Sequence, residues 1–327
     1  MRRTPHIPLL LAAALLLAAG CDPHEFPEGR PIDPMRDFSL QVLFDDELPE
    51  LHREVVNTKA TAGAPRTRYT VKLYRYQGDF VYGLTPDYSW TFTRGELQAL
   101  DTTIFLPVEA ARYKAVGWVD WVDDEGRPYY DETDPEDIHT VSDYLPGEFA
   151  RDAFFGTAEV DLSDQYTAGL PVQSTVRMKR PVAQLRFIAP EALTFLSRAG
   201  VGSDEMYATL RYTTDLPDGF DMLRDRTGST RRGVSLSDYP VMDTSGELVF
   251  LSDFFFCPDE ETSVGVDFQV IDKDGKVLAS YAGSLPVRRG HHTTVSFIPP
   301  GGGGNDTPGG IGISPGFDDE IEITIGN

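Results

Sequence analysis

From residue 38 the chain alternates. Phe38, Leu40, Val42 and Phe44 share one face of an extended segment, while Ser39, Gln41 and Leu43 share the other, and this period of two predicts a strand. The same pattern returns at 69–76, 103–108, 113–122, 154–162, 175–189, 207–213, 247–256, 263–271, 276–281 and 293–298. Short strands with turn residues between them are the signature of β-sandwiches. The clearest hairpin runs from 263 to 281: Val264, Val266, Phe268 and Val270 alternate, DKDGK turns the chain, and Val277, Ala279 and Tyr281 alternate back. In VRMKRPVAQLRFIAP the phase slips, because Val176 and Met178 occupy even positions and Ala183, Leu185 and Phe187 odd ones. One residue of slip turns every side chain over, so a bulge or a change of sheet is expected at Pro181, on an edge strand, since proline cannot donate to a ladder.

Helical pattern is scarce. Pro190 to Leu196 is the best case, with proline at the favoured first position and Gly200 as the stop, and a second short turn is expected around 94–100. Beyond Phe297 the stretch PPGGGGNDTPGG reads as a flexible linker spanning about 19 Å root-mean-square. After it Ile321, Ile323 and Ile325 alternate with Glu322 and Thr324, a terminal strand on a leash that is the candidate donor strand, able to pair within its own chain or complete a neighbour's sheet.

The amino-terminal segment has a different pattern. Arg2 and Arg3 precede an apolar run from Ile7 to Ala19 that ends in small residues. About twenty apolar residues are needed to span a bilayer, so this run reads as a secretory signal. Its ending, Leu17-Ala18-Ala19-Gly20-Cys21, resembles the bacterial lipobox, which implies acylation of Cys21 as the mature first residue. Thiolate nucleophilicity is the chemical reason for a cysteine there, and each buried acyl CH₂ contributes about 0.8 kcal/mol to holding the body at a membrane. Residues 22–36 hold four prolines and little to bury, so they read as an extended tether.

Removing residues 1–20 leaves about three hundred, more than one compact core usually takes, and two domains are expected. The formal charge of −23 repels phosphate backbones, which argues against nucleic acid as a partner. Cys257, in DFFFCP, is the only other cysteine and is expected to be a buried, inert thiol.

Reactive chemistry is thin. GxSxG, HExxH, a CxxC pair, a Walker loop and a dinucleotide fingerprint are all missing, and of six histidines His6 and His24 fall in the signal and tether. His291-His292 reads as an exposed turn, because adjacent strand residues point to opposite faces and make a poor metal pair. The acid-dense segment 120–137 reads as a solvated loop, with calcium binding or a glycosidase carboxylate pair as the alternatives. Trp118 and Trp121, three apart on a strand, should leave only one in a core. Arg224, Arg226, Arg231 and Arg232 have loop composition, and a protease site is their functional alternative. No cofactor, metal or catalytic residue is expected, and the chain is not expected to be an enzyme.

The lipobox, YKAVGWVDW from Tyr113, RDAFFGTAEVDL from Arg151, VRMKRPVAQLRFIA and LPVRRGHHTTV together resemble fimbrillin-like lipoproteins of Bacteroidota. The resemblance implies an all-β fold of two tandem transthyretin-like β-sandwich domains with few short helices. It divides the chain into a signal (1–20), a tether (21–36), an N-terminal sandwich (37–189), a C-terminal sandwich (190–298), a linker (299–310) and a terminal strand segment (311–327). It further implies a lipid-anchored outer-membrane protein facing the cell exterior, with other fimbrial subunits or itself as partners, assembled by strand-edge pairing. Release of a groove by proteolysis after Arg53, Arg66 or Arg68 would mark a polymerising subunit. The alternative is a carbohydrate-binding surface lipoprotein of a glycan-uptake system, with Trp90, Tyr129 and Tyr130 as an exposed aromatic platform.

Overall fold

The computed structural model describes residues 35–44, 66–78, 80–81, 85–94, 101–122, 126–141, 151–163, 172–243, 245–297, 311–314 and 320–325. The alternating segments fold as strands packed in two sandwiches, and the all-β reading holds. The first is built from β1 (Met35–Phe44), β2 (Arg66–Gln77), β3 (Phe80–Val81), β4 (Tyr88–Arg94), β5 (Thr102–Glu109), β6 (Arg112–Val122), β7 (Tyr130–Asp131), β8 (Ile138–Thr140), β9 (Phe154–Asp161) and β10 (Val172–Met178). One sheet has the order β10-β1-β5; the other has the order β3-β2-β6-β9, with β4 also on β2. Their facing side chains, Phe38, Leu40 and Val42 against Tyr69, Val71 and Trp121 among others, make the first core.

The second sandwich comprises β11 (Val182–Ala189), helix α1 (Ala192–Ala199), β12 (Met206–Tyr212), β13 (Leu216–Pro217), β14 (Gly219–Asp221), β15 (Arg226–Thr227), β16 (Thr230–Arg231), β17 (Ser235–Asp238), β18 (Val241–Met242), β19 (Leu248–Phe256), β20 (Thr262–Asp272), β21 (Val277–Val287), β22 (His292–Phe297), β23 (Ile311–Ser314) and β24 (Glu320–Ile325). Its sheets have the orders β18-β19-β11-β22-β24-β23 and β17-β12-β20-β21. Phe187, Phe250, Phe268 and Phe297 stack at its centre. Helix α1 ends at Gly200, whose φ of 70° is the left-handed cap that glycine adopts without steric cost.

The two sandwiches repeat one topology. In each, the first strand (β1 or β11) pairs in parallel with one strand (β10 or β22) and antiparallel with another (β5 or β19). In each, the second strand (β2 or β12) lies between an edge strand (β4 or β17) and a long central one (β6 or β20), which carries β9 or β21 on its far side.

The phase slip is the crossing from one sandwich to the other. β10 ends at Met178, Lys179 bridges to Phe155, and β11 starts at Val182 in a different sheet. β10 is an edge strand as expected, but β11 lies centrally between β19 and β22, so it belongs with the second sandwich instead of closing a first unit at 189. Pro181 escapes the ladder by standing between the strands, where its carbonyl accepts the Cys257 N–H at 3.1 Å.

A third core joins the halves. A strand buried on one face normally shows alternation, yet β6 is buried on both: Trp121 fills the first core and Trp118 points the other way, at 1 % exposure. Tyr74, Val116, Trp118, Tyr130 and Phe155 pack there against Val182, Phe220, Phe254 and Phe256 of the second sandwich. The expectation of one buried tryptophan failed because the outer face of this sheet is an interface between sandwiches. A small sheet, β15-β14-β8-β7, crosses the same joint, with Phe220 opposite Ile138.

Candidate functional site

Two features carry functional weight: the buried joint and the sheet edges. The joint holds charges that burial would otherwise make costly. Arg180 gives Asp152 a forked contact, Nε to Oδ1 at 2.9 Å and Nη2 to Oδ2 at 3.0 Å, and its guanidinium lies 4.8 Å from the Phe154 ring centre. The preceding residue, Arg151, reaches across to Asp253 at 3.3 Å, and the Tyr212 hydroxyl donates to the same carboxylate at 2.7 Å. Arg68 and Trp118 Nε1 satisfy Asp120 in the same way. Burial pushes both Asp120 and Asp152 above the ordinary carboxylate range, against the pull of their arginines.

The acid-dense segment is the strap over this joint. Glu132 takes Lys72, Arg68 and the Thr70 hydroxyl, all on β2. Asp131 accepts from Thr133 N at 2.9 Å, and Asp134 accepts from Glu136 N at 2.9 Å. These carboxylates are therefore spent on arginine, lysine and turn contacts rather than left in a solvated loop, and among the described residues no group of three or more His, Cys, Asp or Glu is placed to hold a metal ion. From the other side, the segment 221–227 clasps the strap and β6: Met222 N donates to Pro135 O at 2.9 Å, Arg224 pairs with Glu136, and Lys114 Nζ of β6 donates to Leu223 O at 2.9 Å. Asp225 takes the left-handed conformation, φ 55°, and holds both Lys179 and Arg289.

The arginines of the presumed loop all have partners: Arg224 and Arg226 with Asp221, Arg231 with Asp218, Arg232 with Asp215. Arg66 and Arg68 are β2 residues, and Arg68 is buried in its pair with Asp120, so neither offers a loop to a protease; Arg53 lies outside the described residues. His292 opens β22 and is buried, instead of standing in an exposed turn. Cys257 is buried, and burial pushes its thiol up to about 12 while Arg289 pulls it down. The proposed aromatic platform does not form: Tyr130 is buried against Trp118, and Trp90 stacks on Tyr88 at the flank of the first core. Sequence reasoning does not reach Asp152, Arg180 and Asp253, because their partners lie 28 and 102 residues away along the chain.

At the edges, β24 pairs in parallel with β22, so that Ile321, Ile323 and Ile325 stand in register with Thr293, Val295 and Phe297. The equivalent outer edge of β10, in the first sandwich, carries no strand among the described residues. Near its end this edge is closed differently: a Cβ at Gly156 of β9 would overlap the Arg177 carbonyl, so glycine permits β9 and β10 to touch. Cys21 and the residues 299–310 lie outside the described residues, and no helix among the described residues is long and apolar enough to cross a membrane.

Residues 37–326 match the model of a family described as a family of unknown function, DUF6562. No curated protein matches the sequence. Among solved structures, the chain is similar to a candidate adhesin from Bacteroides thetaiotaomicron, with 11 % identity, 76 % of this chain and 80 % of that one covered, and a TM-score of 0.46. It is similar to the fimbrial anchor protein Mfa2 from Porphyromonas gingivalis, with 12 % identity, 75 % and 82 % covered, and a TM-score of 0.40. It is also similar to a candidate cell adhesion protein from Bacteroides eggerthii, with 16 % identity, 91 % and 99 % covered, and a TM-score of 0.39.

Proposed function

The chain belongs to the family of unknown function DUF6562, and we propose that it is a lipid-anchored, surface-exposed structural protein of the fimbrial or adhesin type, working by strand-edge pairing and not by catalysis. The observation that carries this reading is the terminal strand. β24 is attached through a glycine-rich stretch and occupies the edge of β22, while the equivalent edge of β10 stands without a strand among the described residues. A strand that fits one edge of a duplicated topology has the geometry to fit the other, in a second copy or another subunit.

The lipobox-like ending at Cys21 and the proline-rich tether support an anchor, and the duplicated sandwiches support a role as a spacer with partner-seeking edges. The polarity fits as well. β1 starts beside the tether at Met35 and runs parallel to β10 toward the joint, so the second sandwich stands away from the anchored end.

Two measurements test the reading. Mass spectrometry of the mature protein should find a diacylated or triacylated Cys21, lost in Cys21→Ala together with membrane retention. Deleting residues 311–327 should abolish assembly into higher oligomers seen by electron microscopy. An unmodified Cys21, or assembly indifferent to the deletion, overturns it.

A further inference from the structure

The edge of β21 offers a second, different surface. Natural sheets blunt long edges with charge, proline or a bulge. β21 has a bulge at one end, between its pairings to Val270 and Ile271, and Pro286 at the other. Between them stands Ala279-Ser280-Tyr281-Ala282-Gly283-Ser284, without a charge, in a chain of which 25 % is charged. The equivalent strand of the first sandwich, β9, carries Glu159 and Asp161 and is closed against β10 at Gly156. Ser280, Ala282, Gly283 and Ser284 are exposed.

The direction of the backbone groups follows from the neighbouring strand. Gly265 N donates to Thr214 Oγ1 at 3.0 Å, and its carbonyl accepts from Thr213 N at 2.8 Å, so both groups point away from β21. Ser284 is paired with Gly265, and its own N–H and C=O therefore face the outer edge, which carries no strand among the described residues. With the two-residue period, so do those of Ala282 and Ser280. The Tyr281 hydroxyl donates to the Ser284 carbonyl at 3.1 Å and shields it.

This pattern is self-complementary. A two-fold axis through Ala282 sets Ser280 of one copy against Ser284 of the other and Ala282 against Ala282; the Ala282 pair exchanges both backbone bonds, and each Ser280–Ser284 pair does so once the Tyr281 hydroxyl leaves the Ser284 carbonyl. It also places Tyr281 of each copy opposite Gly283, whose missing Cβ leaves the space in which the Tyr281 ring of its own strand lies. The occupant that the edge fits is thus a second copy of this chain. We infer that β21 pairs antiparallel with β21 of another copy, joining two four-stranded sheets into one.

The orientation has a functional consequence, which rests on the anchored-adhesin reading above. β21 runs from the pole beside the 272–277 hairpin toward the joint, where Arg289 meets Phe220 and Asp225. Antiparallel pairing of strands along this axis points the two amino-terminal ends in opposite directions. The contact therefore joins copies anchored on facing membranes.

Sedimentation equilibrium tests the pairing on the full chain carrying Cys21→Ser, from 1 to about 200 µM, since a strand contact of this size belongs among weak interfaces. A reversible dimer is expected, several-fold tighter in 0.5 M salt than in 20 mM because the net charge of −23 is screened. Ala282→Pro removes an outward N–H without touching the β20 ladder and should weaken the dimer at least tenfold, with Ala282→Lys doing the same at unchanged thermal stability. Deletion of 311–327 should leave this dimer intact, which separates it from assembly through β24. Vesicles carrying the lipidated chain should cluster, and those carrying Ala282→Pro should not. A monomer throughout, or a dimer indifferent to both Ala282 variants, overturns the pairing; a solution dimer without vesicle clustering overturns its placement between facing membranes.

Discussion

Replacing Asp152 by leucine should be among the most damaging single changes in the molecule. The side chains of Arg180 and Asp152 are 2 % and 3 % exposed, and the carboxylate takes the Arg180 fork together with the Ala153 backbone N–H. The variant takes the carboxylate away from a buried guanidinium that lies against the Phe154 ring. Breaking such a buried pair costs about 3–5 kcal/mol, because the surviving charge keeps its desolvation penalty and loses its compensation. For a chain of this size about 1 kcal/mol corresponds to roughly 2–4 °C, so a fall of about 6–20 °C in Tm is expected. Replacing both partners, Asp152→Leu with Arg180→Met, removes the stranded charge and should recover most of that loss. Calorimetry and urea unfolding of wild type, both single variants and the double variant complete the cycle. A fall of less than about 3 °C for Asp152→Leu, or a double variant no better than the worse single one, would refute the claim that the joint depends on this pair.

Four further outcomes follow from the same structure. Phe220→Ala empties the third core and should cost about 3–5 kcal/mol, dividing one calorimetric transition into two as the sandwiches uncouple; an unchanged single transition argues against a shared core. The Tyr74 hydroxyl is buried without a hydrogen-bond partner among the described residues, so Tyr74→Phe should be neutral or stabilise by up to about 1 kcal/mol, and a loss larger than that in denaturant titration would contradict the assignment. Cys257, with its thiol near 12, should be about one part in ten thousand thiolate at pH 8 and resist Ellman's reagent until the chain unfolds. Asp161 is held below the usual carboxylate range first by the Ser163 hydroxyl and then by the Ser163 N–H. Its contribution to stability is present above the ordinary carboxylate value of about 3.9 and is lost as pH falls through the lower folded value. Carboxyl NMR titration should show that low midpoint, and Ser163→Ala should raise it.

The sequence by itself determined what depends on neighbours within a few residues. Period-two alternation located β1, β12 and β20, the Asp-Gly turn located the β20–β21 hairpin, and Gly200 located the end of α1, because each rests on local backbone preference and a single buried face. The slip at Lys179–Pro181 was legible too, since a reversal of facing cannot occur inside one unbroken strand. Tertiary structure alone decided the parallel pairings of β1 with β10 and of β22 with β24, which join segments more than a hundred and nearly thirty residues apart with no local signal. It decided likewise that both faces of β6 are buried, and that acids read as a solvated loop are the strap of a joint. Alternation reports which residues avoid water on one side of a strand. Whether the other side meets water, a second sandwich or a second molecule depends on contacts that the strand's own sequence does not encode.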